Sequence, residues 1–298
     1  MDVNGLHIEL TNKCTLKCPR CARTTFIDKF GTRPWKNYEI DKETLLSFLD
    51  IDLTNVTVNL CGNYGDPIYH NDAIGIVKSL KLKNARIFLT TNGSYKSKSW
   101  WESLTNELTS NDMIVFSIDG IPDNFTQYRI NANWESIETA IKTVAASKVQ
   151  SSWKYIPFSF NENNIDQARH IARDLGVNEF IVTPSDRWDE NDWLKSKNYV
   201  GPIQNQKTKW VNSTKDNEIN PKCLKNNVHY ISAEGYYMPC CWVGDWRFYY
   251  KSEFFKNKNH YDISKTTITQ LLSTENLINF YNNITINKLE YCTFNCPK

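Results

Sequence analysis

No apolar run of about 18 residues occurs in this sequence, so no membrane-spanning helix is expected. The first ten residues carry Asp2, His7 and Glu9 and so form no apolar signal segment. Charge of one sign is scarce as well. The 35 Lys and Arg residues stand against 33 Asp and Glu, leaving a formal charge of +2. Nucleic-acid-binding domains are usually more basic, with the charge gathered on one face, so no nucleic-acid partner is expected. Internal repeats and low-complexity segments are also absent. These absences leave a cytoplasmic globular protein as the expectation.

Cysteine is abundant. Nine are present: Cys14, Cys18, Cys21, Cys61, Cys223, Cys240, Cys241, Cys292 and Cys296. Under reducing conditions they would not persist as a disulfide framework, and their clustered spacing favours metal ligation. The ten Trp, 15 Tyr and 14 Phe residues are read as core material. A chain of 298 residues can hold one large domain, or a domain with a smaller appendage.

The hydrophobic pattern organises the first 183 residues. Leu6, Ile8 and Leu10 alternate with polar neighbours as a strand does, and Asp41 can cap a helix carrying Leu45, Leu46 and Leu49. Further strands are expected at 56–61, 86–90, 113–118, 153–158 and 180–182. Helices are expected at 71–82, 97–108, 134–148 and from about 164 to a C-terminal Gly176. The stretch between the first cysteines and Ile40 reads as a loop. Six strand–helix alternations imply a parallel α/β sheet, a full or partial barrel. Sites in such folds form at the C-terminal ends of strands. Cys14, Cys18 and Cys21 follow the first strand, Gly65-Asp66-Pro67 the second, Asn92-Gly93 the third, and Ser117 and Asp119 end the fourth.

Three thiolates in the C-x₃-C-x₂-C loop can hold three irons of a [4Fe–4S] cube and leave the fourth open. A zinc site is the competing reading, and it needs a fourth Cys or His nearby. His7 and His70 do not supply the usual paired spacing.

On these residues the chain resembles the radical S-adenosylmethionine superfamily over about residues 5 to 183. The resemblance rests on the cysteine loop, on Gly65-Asp66-Pro67 in place of a Gly-Glu-Pro element, on Thr91-Asn92-Gly93 and on Ser117-Ile118-Asp119-Gly120. Tyr128-Arg129 followed by Trp134-Glu135 is similar to the branch with extra clusters. The resemblance implies a partial (β/α)₆ TIM-like barrel. It also implies a [4Fe–4S] cluster on Cys14, Cys18 and Cys21 that binds S-adenosylmethionine and cleaves it to a 5′-deoxyadenosyl radical. Gly65, Asp66, Asn92, Ser117, Asp119 and Arg129 then become cofactor contacts. Arg20 stands where the superfamily commonly has an aromatic residue beside adenine; a guanidinium can stack on a π face.

Cys223, Gly235 and Cys240 resemble the opening C-x₉₋₁₅-G-x₄-C of the SPASM and Twitch extensions. Val228 to Ser232 and Tyr236 to Met238 flank a hairpin turn, and 268–281 reads as a helix. Five cysteines beyond residue 200 are too few for two auxiliary clusters. The resemblance therefore implies one auxiliary [4Fe–4S] cluster on Cys223, Cys240, Cys292 and Cys296, with a zinc ribbon as the alternative. Cys61 and Cys241 are left over, either inert or donors of a hydrogen atom.

The expected organisation is a barrel over 1–183, a linker over 184–222 and a small α+β iron–sulfur extension over 223–298. The expected activity is a radical oxidoreductase acting on a small molecule, with the auxiliary cluster as electron acceptor and a flavodoxin or ferredoxin-type reductant. The first strand begins near Gly5 with no fused leader-recognition domain, which favours the small molecule. Modification of a ribosomal peptide is the alternative, and a non-catalytic zinc or iron–sulfur module is the rival from another class.

Overall fold

The computed structural model describes residues 2–185, 192–199, 218–287 and 289–296. Most of the expected linker, 186–191 and 200–217, lies outside the described residues. No described helix is long and apolar enough to cross a membrane.

The strands are β1 (Gly5–Ile8), β2 (Thr57–Leu60), β3 (Arg86–Thr91), β4 (Met113–Ser117), β5 (Gln150–Tyr155), β6 (Glu179–Val182), β7 (Val228–Ile231) and β8 (Tyr237–Met238). They lie in one sheet in the order β6-β5-β4-β3-β2-β1-β7-β8. Between them run α1 (Ala22–Phe30), α2 (Lys42–Phe48), α3 (Ala73–Leu82), α4 (Lys98–Glu107), α5 (Trp134–Ala145) and α6 (Ile165–Asp174). This is the expected parallel α/β order.

Local chemistry places the helices. The Asp41 carboxylate accepts the backbone N–H of Thr44 at 2.8 Å and caps α2, while Ser97 accepts from Trp100 and caps α4. Gly176 follows α6 at φ +83°, donating its N–H to Arg173. That left-handed C′ position suits glycine because it lacks a Cβ.

The chain divides into two compact units. The first comprises 1–14, 26–88 and 216–298. Here β1 pairs in parallel with β2 on one side and with β7 on the other, and β7 turns back antiparallel into β8. Leu6, Ile8, Val58, Leu60, Phe48 and Tyr230 are fully buried. The hairpin expected from sequence is present, and it extends the sheet beside β1. The helix expected at 268–281 is broken into Ile268–Leu272 and Glu275–Asn283, with Ser273 and Thr274 between them.

The second unit comprises 15–25 and 89–215. Its β4, β5 and β6 pair in parallel, with Phe116 opposite Trp153. Trp101, Phe116, Trp153 and Tyr155 are fully buried, and the indole N–H of Trp153 donates to the Ile118 carbonyl at 2.7 Å. The fifth strand lies at 150–155, three residues earlier than expected, because Tyr155 rather than Phe158 ends the ladder with β6.

Candidate active site

In the first unit, the turn after β2 packs against the chain after β1. Asp66 donates its backbone N–H to the Lys13 carbonyl at 3.0 Å, and its carboxylate accepts from Ile68 N–H at 3.3 Å. A Cβ on Gly65 would fall 1.9 Å from the Thr11 carbonyl oxygen and 2.7 Å from Asn12 backbone atoms. Close backbone approach therefore requires glycine here. Asp66 is 6% exposed. Cys14 is half-buried at the end of this segment.

Glu9, which a strand pattern would leave as an outward polar residue, is 1% exposed. One carboxyl oxygen accepts the backbone N–H groups of Tyr64 at 2.7 Å and Gly65 at 3.1 Å, and the other accepts the Tyr230 hydroxyl at 2.7 Å. Burial nevertheless pushes its pKa up to about 7. Sequence reasoning missed Glu9. The β1 side chains are enclosed because β7 occupies the side that would otherwise be an edge. His70 is committed to backbone through both ring nitrogens, to Ile40 and Asp72, and His7 contacts the Cys61 carbonyl. These contacts occupy the two histidines that a zinc reading of the first loop would have called on.

In the second unit, Cys18 is buried and Cys21 half-buried, immediately before α1. The Lys17 N–H bonds the Ile130 carbonyl at 3.0 Å, so the loop is tied to the segment that carries Arg129. Arg129 ion-pairs with Asp119 at 2.7 Å and donates to the Cys18 sulfur at 3.8 Å. Burial raises the Cys18 pKa, and the Arg129 charge acts against that rise. Asp119 is fully buried and also accepts the Ile156 N–H at 2.9 Å. The two residues expected as separate cofactor contacts are thus joined to each other.

Asn92 is buried and accepts the Ser94 N–H at 2.9 Å, shaping the turn after β3, and Gly93 follows at φ +74°. Ser117 is half-buried at the end of β4. Arg20 is directed to a carboxylate, donating through its Nε to Asp192 at 2.8 Å.

The late cysteines lie in the first unit. Cys223, Cys240, Cys241, Cys292 and Cys296 all line one cavity of about 200 Å³. Cys292 and Cys296 are linked through backbone across the helix Glu290–Asn295, and Asn220 N–H bonds the Cys296 carbonyl at 2.8 Å. Burial, then the charge of neighbouring thiolates, pushes Cys223 up to about 12. Burial likewise pushes Cys240 up to about 11 and also raises Cys292. The thiols are neutral at pH 7 until a cation draws off their protons. Among the described residues no three His, Cys, Asp or Glu side chains form a group that could hold a metal ion.

Comparison with known proteins places this geometry. The family model described as "Radical SAM superfamily" matches residues 8–175. A tungsten-containing aldehyde ferredoxin oxidoreductase cofactor-modifying protein of Pyrococcus furiosus is 22% identical over 195 residues, 60% of this chain and 50% of that protein. The chain therefore spans about half the length of this curated relative. Among solved structures, anSMEcpe with bound AdoMet is similar at a TM-score of 0.61 and 15% identity, covering 93% of this chain and 82% of that one. Streptococcus suis SuiB bound to precursor peptide SuiA is similar at 0.62 and 13%, covering 99% and 69%. At these identities the structural likeness speaks for the fold.

Proposed function

Because the chain belongs to the radical SAM superfamily, we propose that it oxidises or otherwise modifies a substrate by hydrogen-atom abstraction, with one auxiliary [4Fe–4S] cluster beside the cofactor-binding one. Family membership implies a [4Fe–4S] cluster and S-adenosylmethionine. Together, when bound, they supply a 5′-deoxyadenosyl radical. Cys14, Cys18 and Cys21 are the ligands of that cluster in this reading. Three cysteines suit it because a cube bound by three keeps one iron open. The Arg129 guanidinium, fixed by Asp119, donates toward the Cys18 sulfur and favours its thiolate. Asp66 offers a carboxylate to the cofactor's ammonium. Gly65 lets that turn lie flat on Thr11 and Asn12.

The observation that carries the auxiliary cluster is the single cavity lined by Cys223, Cys240, Cys292 and Cys296. Around one zinc, sulfurs at about 2.3 Å from the metal stand under about 4 Å apart. A cube spreads its thiolates over four irons and needs room between them. A cavity of about 200 Å³ shared by the four cysteines supports the cube over a zinc ribbon in this reading. A fully ligated cluster has no open iron, which leaves electron transfer or structural support, and in this reading it accepts an electron from the substrate radical. The net reaction is then a two-electron oxidation, a dehydrogenation or a new bond.

The substrate is a small molecule or a peptide side chain. The second reading draws support from the similarity to SuiB, which was solved bound to its precursor peptide SuiA. Anaerobic reconstitution tests the cofactor assignment. The parent protein should hold about eight irons per chain, and a Cys223→Ala/Cys240→Ala variant about four. That variant should still release 5′-deoxyadenosine when given reductant and S-adenosylmethionine. Stoichiometric zinc without iron in the parent protein would refute the reading.

A further inference from the structure

The turn that presents Asp66 is fastened to the stretch that follows Cys240, through side chains to which the proposed chemistry gives no role. The Asn63 amide donates to the Cys241 carbonyl at 2.7 Å, and the Tyr64 hydroxyl donates to the Gly244 carbonyl at 2.8 Å. A second route runs through Glu9. One of its oxygens accepts the Tyr64 and Gly65 N–H groups, and the other accepts the Tyr230 hydroxyl at 2.7 Å. Tyr230 is fully buried and lines the cavity of the late cysteines beside Cys240, Cys241 and Trp242. A Cβ on Gly244 would fall 2.5 Å from the Tyr230 ring and 3.3 Å from the Asn63 amide nitrogen. Glycine thus lets the backbone at 244 lie directly against both. All of these residues belong to the first unit. Asn63, Tyr64 and Gly65, the three residues before Asp66, are therefore each bonded toward the wall of the cysteine cavity, directly or through Glu9.

We propose that Asn63 and Tyr64 are positioning residues through which the auxiliary site sets the affinity for S-adenosylmethionine. Ligation through Cys240 fixes the backbone that follows it, and the carbonyls of Cys241 and Gly244 are the acceptors on that backbone. While they are fixed, Asn63 and Tyr64 hold the turn, and Asp66 stands ready for the cofactor's ammonium. When they are loose, the two donors turn to water. That exchange costs the fold little, because water also accepts hydrogen bonds, but it releases the turn. Two hydrogen bonds of ordinary net strength correspond to about a tenfold change in affinity. Cys241 contributes its carbonyl here, whatever its thiol does. The coupling rests on the two-cluster reading above; the hydrogen bonds themselves do not.

Calorimetric titration with S-adenosylmethionine, without reductant, tests this on four reconstituted chains. They are the parent, Cys223→Ala/Cys240→Ala, Asn63→Ala/Tyr64→Phe, and the chain combining all four substitutions. Each pair should weaken binding about tenfold, and the combination should be no weaker than either pair, because both pairs cut one link. Independent contributions would instead multiply to about a hundredfold. Hydrogen exchange gives a readout that needs no ligand. Peptide 61–67 should exchange about tenfold faster in each altered chain than in the parent, and no faster still in the combination. Tyr230→Phe cuts the second route at one hydroxyl and leaves every cysteine in place. It should also speed exchange of 61–67, which keeps the test open should the cysteine variant fail to fold. Parental affinity and exchange in Asn63→Ala/Tyr64→Phe, or multiplied losses in the combined chain, would overturn the coupling. A parent holding about four irons would refute the two-cluster reading instead, and the iron count made before each titration separates the two failures.

Discussion

Asp119 and Arg129 show how a pair of residues can be visible in a sequence while their relation is not. Each stands at a strand-end or loop position that suggests a ligand contact. Their pairing at 2.7 Å needs a loop closure that no local pattern reports. Asp119 is fully buried and the Arg129 side chain is 16% exposed, so removing the carboxylate leaves the guanidinium largely enclosed and uncompensated. Asp119→Ala should cost about 3–5 kcal/mol in urea denaturation. A loss under about 1 kcal/mol would mean that the pair is solvated. Glu9 was legible only as a polar position in an alternating strand. Its folded pKa of about 7 lies above the usual carboxyl value of 4.5. The folded state therefore holds a proton that the unfolded chain has released across that window, and stability falls as pH rises through it. Glu9→Gln mimics the protonated form. Relative to the parent, its stability should be nearly unchanged at pH 4.5 and increasingly superior up to about pH 7, by about 3 kcal/mol at most. A difference independent of pH would remove Glu9 as the cause.

Elements were legible where a cap or a strong period marked them. Asp41 before α2, Ser97 before α4 and Gly176 after α6 each carry a mechanism that sequence displays. Helix α1 has none of these. It lacks an acidic first turn and buries only Phe26, so its composition looks like a loop. The 268–281 helix fails for the opposite reason. Its apolar period continues through Ser273 and Thr274, where the chain ends one helix and begins another. Capping at α2 gives a prediction at this scale. Asp41→Ala removes the acceptor for the Thr44 N–H and hydroxyl and should cost about 1 kcal/mol at pH 7. The backbone and side-chain hydrogen bonds of Thr44 hold the Asp41 pKa below its ordinary 3.8. That contribution is present above pH 3.8 and fades as pH falls through the lowered value. The parent and variant denaturation curves should therefore converge in acid.

At the scale of the molecule, the parallel sheet was readable because strand and helix periods alternate. The join between β7 and β1 was not, because strand periodicity names no neighbour. That join gathers 1–14, 26–88 and 216–298 into one compact unit and places the late cysteines on the same unit as Gly65, Asp66 and Glu9. Cys223, Cys240, Cys292 and Cys296 come from three separated stretches of chain that a shared cluster would cross-link. Burial raises the pKa of Cys223, Cys240 and Cys292, so their thiols must give up protons to bind iron and metal binding is coupled to folding of this region. Reconstitution should slow proteolysis and hydrogen exchange across 218–296, and a chelator should restore the faster rates. Cys223→Ala/Cys240→Ala should behave as the chelated parent in this region while keeping the parental exchange pattern through β4, β5 and β6. Protection spread evenly over both units, or unchanged by iron, would show that the cavity does not depend on a cluster for its order.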